Sequence, residues 1–448
     1  MASQSIQKTS HARTQQSGRR TGRFLASLRW RGWSCLLGLA FLTLLLGYWG
    51  SRQIRPDGQS LDLLWEQAEQ DLSAGRFESV EAAVKRLERS RPPTPLDWFL
   101  RAQLALARKE DDQALEYLTR VPDEHYMAAQ ARLIAGQMEL RRNRARLAEE
   151  WFQAALKLDS RLIQAHRELI YIYGMQLRRA ALSAEFMALS RLTNLTFDNA
   201  FHWGLLRNNS WEPGTAVESL AGYVAADPFD RWSRLALAEN YRRMGRLDDA
   251  ESAIGTLASD DSEAISLRGR MALDRQDHEE AGRLLALGPR DQPLLARLRG
   301  TLALGRRDVP EALANFRIAY AADPENREAL FGLIAALELS HDDKAAEPLR
   351  ERARRYDRLN SLIQRAAVAQ ARGDADLMRQ LGEACAALGR KEEARAWYNL
   401  AISRDPLDSI AQQALFRLSE TTEKVPQPPR VVPQPPPVLP NHNEPDSH

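Results

Sequence analysis

The sequence predicts an all-α protein whose helices pair into hairpins that stack as an α-α superhelix. One transmembrane helix precedes this solenoid, and both chain ends are disordered. Three observations predict this fold. Alanine, leucine, arginine and glutamate dominate the composition, which favours helices. Residues 32–51 form a run without any charge. Small or apolar residues recur at an interval of about 34 residues, the signature of a helical repeat array, at Ala68, Ala102, Gly136, Ile170, Gly204 and Ala238.

Residues 1–31 are predicted to form a disordered, cytoplasmic tail. They contain seven lysines and arginines and no acidic residue. Because the whole chain has a net charge of +2, the residues that follow have a net charge of −5. A nucleic-acid reader would more often carry its excess positive charge on the folded part, so we expect no nucleic-acid partner.

Residues 32–51 are predicted to form a transmembrane anchor. At about 1.5 Å per helical residue, the run spans roughly 30 Å, the thickness of a hydrocarbon core. Trp33, Tyr48 and Trp49 lie at its ends, where aromatic rings favour the membrane interface. The basic tail keeps the N-terminus cytoplasmic and places the repeats on the periplasmic or exoplasmic side. Two alternatives stay open: a cleaved signal peptide that leaves a soluble exported protein, or repeats in the cytoplasm.

A short polar linker, residues 52–60, leads into repeats that are predicted over residues 61–420 in about ten units. Two helices approach closely only where both present small residues, and a large residue then fills the space beside that contact. Small residues recur again at a twentieth position, as in Ala114, Ala148, Ala216 and Ala250. Large residues recur at a twenty-fourth position, as in Leu118, Phe152, Phe186, Leu220 and Ile254. Asp-Pro pairs at 227–228, 323–324 and 405–406 are predicted to end second helices.

This register resembles the tetratricopeptide repeat (TPR) family, whose unit has these small and large positions and a proline near its end. The pattern also departs from the family. Ile170 and Leu182 are too large for a tight contact, so their unit is expected to be splayed. Arg350 stands where a large apolar residue is expected, and residues 359–373 are expected to add one further helix.

No catalytic chemistry is apparent, and we expect neither an enzyme nor a cofactor. The eight histidines are scattered, and no His, Cys, Asp or Glu cluster has metal-ligand spacing. Acidic pairs such as Asp248-Asp249 and Asp342-Asp343 are predicted to be helix caps and first-turn charges. Residues 421–448 contain nine prolines and are predicted to be a disordered tail.

The TPR resemblance implies a concave groove lined by the first helix of each unit. Its second, fifth, ninth, twelfth and thirteenth positions usually contact ligand. On this sequence the resemblance predicts these partner-binding residues: Gln137, Arg141, Arg167, Tyr171, Trp232, Glu239, Arg242, Arg243, Arg270 and Arg297. Arginines beside Tyr171 and Trp232 suit an extended peptide with acidic or C-terminal carboxylate groups. The lysine and asparagine clamp of chaperone-binding TPR domains is absent, which disfavours that class of ligand.

The predicted function is therefore that of a membrane-anchored scaffold or adaptor. It would bind protein or peptide partners on its concave surface, for instance in envelope assembly or secretion. The alternatives are a soluble exported TPR protein, a non-catalytic subunit of an enzyme complex, and an enzyme with an unrecognised site in the groove.

Overall fold

The computed structural model describes residues 56–208 and 212–423, and every regular element in them is helical. The predicted basic tail and anchor, and nearly all of the proline-rich tail, lie outside these residues. The elements are α1 Pro56–Ser73, α2 Phe77–Ser90, α3 Pro95–Ala107, α4 Asp111–Thr119, α5 Ala128–Arg141, α6 Ala145–Leu158, α7 Ile163–Met175, α8 Arg179–Leu192, α9 Phe197–Arg207, α10 Val217–Ala226, α11 Arg231–Arg243, α12 Leu247–Ile254, α13 Ser262–Asp274, α14 His278–Ala286, α15 Pro293–Gly305, α16 Val309–Ala322, α17 Arg327–Leu339, α18 Asp343–Ala366, the 3₁₀ helix η1 Ala369–Gly373, α19 Ala375–Ala387, α20 Lys391–Arg404 and α21 Ser409–Glu423.

The prediction of an all-helical solenoid is confirmed for this part of the chain. Successive helices pack in pairs from α1 to α20, except for α9 and α10, and α21 packs on α20 at the end. The array starts at Pro56, within the segment predicted as a linker. None of the helices in residues 56–208 and 212–423 has the length and apolar character that crossing a membrane requires.

Acidic residues begin many of these helices, as the sequence predicts. The side chain of Asp342 accepts a hydrogen bond from the amide of Ala345 (3.1 Å), so it caps α18. Asp248 and Asp249 lie in the first turn of α12, where negative charge stabilises the helix dipole. The three predicted Asp-Pro stops are also confirmed, because α10, α16 and α20 each end at the residue before the aspartate.

The turn inside each hairpin has one residue with positive φ. These residues follow the repeat interval in the first half of the array and continue with other spacings after it: Gly75, Lys109, Asn143, Leu177, Gly245, Gln276, Arg307, His341 and Gly389. The next amide reaches back along the helix, as from Arg144 to the carbonyl of Glu139 (2.9 Å). This is the Schellman pattern that satisfies the last carbonyls of a helix.

The predicted contact between small and large positions is present in the regular units. A Cβ atom added to Gly136 would lie 2.5 Å from the ring of Phe152, and one added to Gly382 would lie 2.6 Å from Tyr398. Each aromatic ring therefore rests directly on the backbone of the facing helix. This close approach is what the repeat register encodes.

The fifth unit does not follow its register. The pattern pairs Gly204 with Leu220 in one hairpin, but α9 and α10 do not pack together as a hairpin. Instead α9 packs on α8, α18 and α20, while α10 packs on α11. A Cβ at Gly204 would lie 3.3 Å from Ile363 and 3.2 Å from Glu393. The predicted pairing is wrong here because Gly204 accommodates helices from the C-terminal part of the array.

The predicted additional helix is also replaced by another arrangement. Residues 359–366 continue α18, which has 24 residues and contains Pro348, and only the short η1 follows. Tyr356, Leu359 and Ile363 are buried and recur at helical spacing, so the apolar stripe favours an uninterrupted helix. The extra turns of α18 provide part of the surface on which α9 packs.

These contacts close the array into a ring. Arg207 at the end of α9 binds Glu325 (2.5 Å) and Glu393 (3.2 Å). Phe197 at the start of α9 meets the ring of Trp397 edge-on, with 5.5 Å between centroids. The segment from α8 to α20 thus closes on itself, because α20 contacts both α8 and α9. We call the contacts of α9 with α18 and α20 the closure.

Candidate partner-binding surface

Five of the ten predicted partner-binding residues lie together on α11, α13 and α15. Glu239 is their centre and is buried. Its carboxylate accepts hydrogen bonds from Arg242 (2.9 Å) and Arg243 (2.8 Å) and pairs with Arg270 of the next first helix (3.0 Å). Arg242 also reaches Asp274 on α13 (2.5 Å). First helices of successive units are therefore joined by charged groups.

Arg297 on α15 extends this group by one unit. It is only 7% exposed and forms an ion pair with Glu328 at the start of α17. The Nε atoms of Arg270 and Arg297 are buried and have no hydrogen-bond partner. Each of these two guanidinium groups therefore has one buried N–H donor without an acceptor.

Arg179 at the start of α8 is a further member that the sequence did not predict. Its side chain is exposed, but neighbouring protein atoms remove part of its hydration. This desolvation and the charge of Arg243 lower the pKa of Arg179, and Arg270 adds to the effect. Arg179 belongs to a second helix four units before Arg297. Its positive charge acts on both Arg270 and Arg297. We call Arg179, Arg242, Arg243, Arg270 and Arg297 the arginine cluster.

The charges of the cluster act strongly on one another. Burial on its own raises the pKa of Glu239, but Arg270, Arg242 and Arg243 offset it and hold that pKa at about 2. Burial, followed by the positive charges of Arg270 and Arg179, lowers the pKa of Arg297 to about 9. Glu239 is thus firmly ionised, and the buried Arg297 has Glu328 as its ion-pair partner.

The other predicted residues lie away from the cluster. Gln137 donates to Glu168 of the next first helix (3.1 Å), and the Tyr223 hydroxyl donates to that of Tyr171 (3.3 Å). Arg141 and Arg167 are exposed on α5 and α7. The structure therefore brings together the last five residues of the predicted set. It leaves Gln137, Arg141, Arg167 and Tyr171 dispersed along earlier units.

Trp232 lies at a separate cleft of about 280 Å³ between α6 and the start of α11. Its ring is stacked under Arg178 (4.8 Å) and Arg231 (4.5 Å), measured from the guanidinium carbon to the ring centroid. Arg146 crosses this junction to bind Asp227 (2.8 Å). Phe229, which also lines the cleft, is 84% exposed. The open cleft is lined by both acidic and basic side chains, so its charge does not favour one kind of ligand.

A second polar group missed by the sequence lies at the closure. Arg390 and Glu393 are almost completely buried beside Arg207, and Cys385 is buried in contact with them. Burial and the charge of Glu393 raise the pKa of the Cys385 thiol. No spacing in the sequence connects α9 with α20, so only the fold reveals this network. Within residues 56–208 and 212–423, no group of His, Cys, Asp and Glu could hold a metal ion.

Comparison with known proteins finds tetratricopeptide repeats in this chain. Residues 99–162, 297–360 and 348–409 match the tetratricopeptide repeat family. A tetratricopeptide repeat protein from Parabacteroides merdae is 15% identical, with a TM-score of 0.30 over 62% of this chain and 99% of that chain. The Cut9–Hcn1 heterotetramer of the APC/C is 12% identical, with a TM-score of 0.34 over 88% and 94%. The C-terminal part of a TPR protein from Cytophaga hutchinsonii is 15% identical, with a TM-score of 0.28 over 60% and 99%. No curated protein matches the chain.

Proposed function

We propose that this chain, which contains tetratricopeptide repeats, is a membrane-anchored scaffold or adaptor that binds protein or peptide partners on its concave surface. The arginine cluster is the observation that carries this proposal. Five arginines from α8, α11, α13 and α15 act on one another through their charges, and the Nε atoms of Arg270 and Arg297 are buried without a hydrogen-bond partner. A surface of this kind is suited to binding.

The anchor is the second part of the proposal. Residues 32–51 would hold the ring beside the membrane, with the N-terminus in the cytoplasm and the repeats on the periplasmic or exoplasmic side. Tethering raises the effective concentration of the ring for partners in the same membrane. This arrangement suits a role in envelope assembly or secretion.

Site-specific photocrosslinking in cells tests the binding surface. A photoreactive amino acid at Arg179 faces the interior of the ring, whereas the same group at Arg317 is exposed on the second helix α16. We expect discrete adducts with the same partner protein from position 179 and none from position 317. Adducts from position 317 alone would show that the partner binds elsewhere.

Membrane extraction and N-terminal sequencing test the anchor. The full chain should remain with the membrane after alkaline carbonate washing, and its N-terminal residues should be intact. A mature protein that starts after residue 50 and is released by the wash would rule out the anchor. Protease added outside the membrane that holds the anchor should digest the repeats. Repeats that are protected from the protease would show that they lie on the cytoplasmic side.

A further inference from the structure

The last described helix, α21, has an apolar outer face that is open to solvent. The units of a solenoid cover one another, and the outer face of a terminal unit is ordinarily polar. Here Leu407, which lies just before α21, is 88% exposed, and Ile410 and Phe416 on the helix are 55% and 64% exposed. We call these three residues the terminal patch.

The outer side of α21 combines these apolar side chains with hydrogen-bond donors. Residues three apart are neighbours on a helix surface, so Gln413 lies between Ile410 and Phe416. The side chains of Gln413 and of Arg417, one turn later, are exposed. Arg417 is the only charged residue in the sequence from Ser409 to Ser419. A ligand for this surface therefore needs apolar groups and hydrogen-bond acceptors, and it needs no run of charges.

Residues 424–432 follow α21 directly, outside the described part of the chain, and their sequence is amphipathic for a polyproline helix. That helix has three residues per turn, so positions three apart share an edge. One edge is polar and consists of Lys424, Gln427 and Arg430. The other two edges are apolar and consist of Val425, Pro428 and Val431, and of Pro426, Pro429 and Val432. A segment with this pattern has one side for water and one side for an apolar surface.

The length of this segment suits a return along α21. At about 1.5 Å per residue, Ile410 lies roughly 20 Å before the end of α21 at Glu423. The nine residues from 424 to 432 span roughly 28 Å in a polyproline helix, at about 3.1 Å each. The segment therefore reaches past Phe416 to Ile410 once the chain has reversed direction after Glu423.

We propose that residues 424–432 dock on the terminal patch of their own molecule as a polyproline helix and cap the array. Their two apolar edges pack on the patch, and Gln413 and Arg417 donate hydrogen bonds to the unpaired carbonyls of the segment. Direct attachment gives the segment a high effective concentration at the patch. The inference depends neither on the arginine cluster nor on the membrane anchor.

A second copy of the chain is a poorer occupant of the patch. Helix α21 has 15 residues, and one face of a single helix buries much less than the roughly 1,200 Å² of a stable interface. A segment of the same molecule needs no such area, because its association is intramolecular and costs less entropy.

Photocrosslinking of the full chain in lipid nanodiscs tests the contact. A photoreactive phenylalanine analogue at the exposed position of Phe416 probes the patch, and the same analogue at Arg317 on α16 is the control. Mass spectrometry of mixed isotope-labelled and unlabelled chains should show adducts of position 416 with residues 424–432 of the same molecule, and none of position 317 with them. Adducts between two chains, adducts with other segments only, or no adducts from position 416 would overturn the proposal.

Two matched variants test the amphipathic pattern. Val431→Asp places a charge on an apolar edge and should reduce the adduct yield at least about tenfold, because a buried unpaired charge is costly. Gln427→Asp places the same charge on the polar edge and should leave the yield unchanged. Both changes lie outside the described helices, so the array keeps its fold. Equal yields in the two variants contradict docking through these edges.

Trypsin provides a second measurement without the analogue. Cleavage after Arg430 should be several-fold faster in Ile410→Ser than in the native chain, with unchanged helical circular dichroism, because the segment is released. Leu63→Ser is the control near the other end of the array, since Leu63 is 61% exposed, and it should leave the rate unchanged. If Ile410→Ser also leaves the rate unchanged, the segment does not dock on α21 and the proposal fails.

Discussion

Glu239 illustrates how a single buried carboxylate organises three helices. Three guanidinium groups from α11 and α13 share its two oxygens, so each arginine is partly neutralised by the same acid. Removing one member of a buried ion network costs more than the network contributes, because the remaining charges stay buried without a partner. Glu239 is therefore both a structural residue and the reason that the arginine cluster can exist.

Replacing Glu239 by Gln should destabilise the protein by about 3 kcal/mol, because Arg243 and Arg270 lose their charged partner. The exposed pair of Glu251 and Arg268 provides the control, and Glu251→Gln should cost less than about 1 kcal/mol. Chemical denaturation of both variants measures the difference. Equal costs for the two substitutions would contradict a special role for Glu239.

The contribution of Glu239 should also depend on pH. Its folded pKa is about 2, below the ordinary value of 4.5, so the folded state binds its proton less readily than the unfolded chain does. The stabilisation is thus complete above the unfolded pKa and is lost as the pH falls through the folded pKa. The difference in unfolding free energy between the native protein and Glu239→Gln should shrink steadily from about pH 6 toward pH 2. A constant difference would show that the carboxylate is not held in its charged form.

Glycines that contact aromatic rings should be sensitive to a single methyl group. A Cβ at Gly332 on α17 would lie 2.2 Å from the ring of Phe316 in the preceding unit, whereas one at Gly305 would meet nothing within 4 Å. Gly332→Ala should therefore cost about 1–3 kcal/mol through overpacking. Gly305→Ala should be neutral or slightly stabilising, because alanine favours a helix. Thermal unfolding measures both effects. Similar changes in the unfolding midpoint would show that the ring of Phe316 moves aside without a cost in stability.

At the scale of the hairpin, the turn conformation is fixed while its residue varies. Positive φ occurs at Gly75, Gly245 and Gly389, but also at Lys109, Leu177 and Gln276. Residues with a Cβ atom are strained in this conformation, and glycine is not. The stacking of the units therefore imposes a backbone that several local sequences do not prefer. Some hairpins in this array consequently carry stored strain.

Introducing glycine in one turn and removing it from another should have opposite effects on the stability of the protein. Gln276 (φ 61°) and Gly245 (φ 77°) are both exposed, and a Cβ at Gly245 would meet no neighbour. Gln276→Gly should stabilise the protein by about 1 kcal/mol, and Gly245→Ala should destabilise it by a similar amount. The midpoint of urea unfolding measures both changes. A loss of stability in Gln276→Gly would show that its side chain contributes more than the backbone strain costs.

The sequence predicts hairpins well because their determinants are local. Gly136 and Phe152, or Gly382 and Tyr398, lie within one hairpin, and the register that joins them repeats. It misplaces α9 because Gly204 is equally small for either partner, and the helix that carries Glu393 comes many units later in the chain. It also omits Arg179, since only the closed ring brings the start of α8 opposite α13 and α15. Five of the predicted partner-binding residues do cluster, because they share the inward face of consecutive first helices.

At the scale of the whole molecule, the closure determines which surface is interior. The aromatic contact of Phe197 with Trp397 and the ion pairs of Arg207 lie at opposite ends of α9. Without them, α8 would no longer be held opposite α13 and α15, and Arg179 would leave the cluster. The binding surface therefore depends on a junction that contains none of its residues.

Reversing the charge of Arg207 should open this junction. Arg207→Glu places a carboxylate against Glu325 and Glu393, and the buried Glu393 keeps only Arg390 as a partner. Breaking a buried pair costs about 3–5 kcal/mol, which is enough to release α9 while the hairpins persist.

The thiol of Cys385, buried beside this network, reports the opening in a chain that carries Cys35→Ser. We expect a thiol reagent to modify Cys385 at least about tenfold faster in Arg207→Glu, with unchanged helical circular dichroism, since a release of a few kcal/mol exposes it more often. Arg317→Glu on the outer surface should leave the rate unchanged. If the rate is the same in both variants, the ring does not depend on Arg207, and the apolar packing of α9 on α18 and α20 suffices to hold it closed.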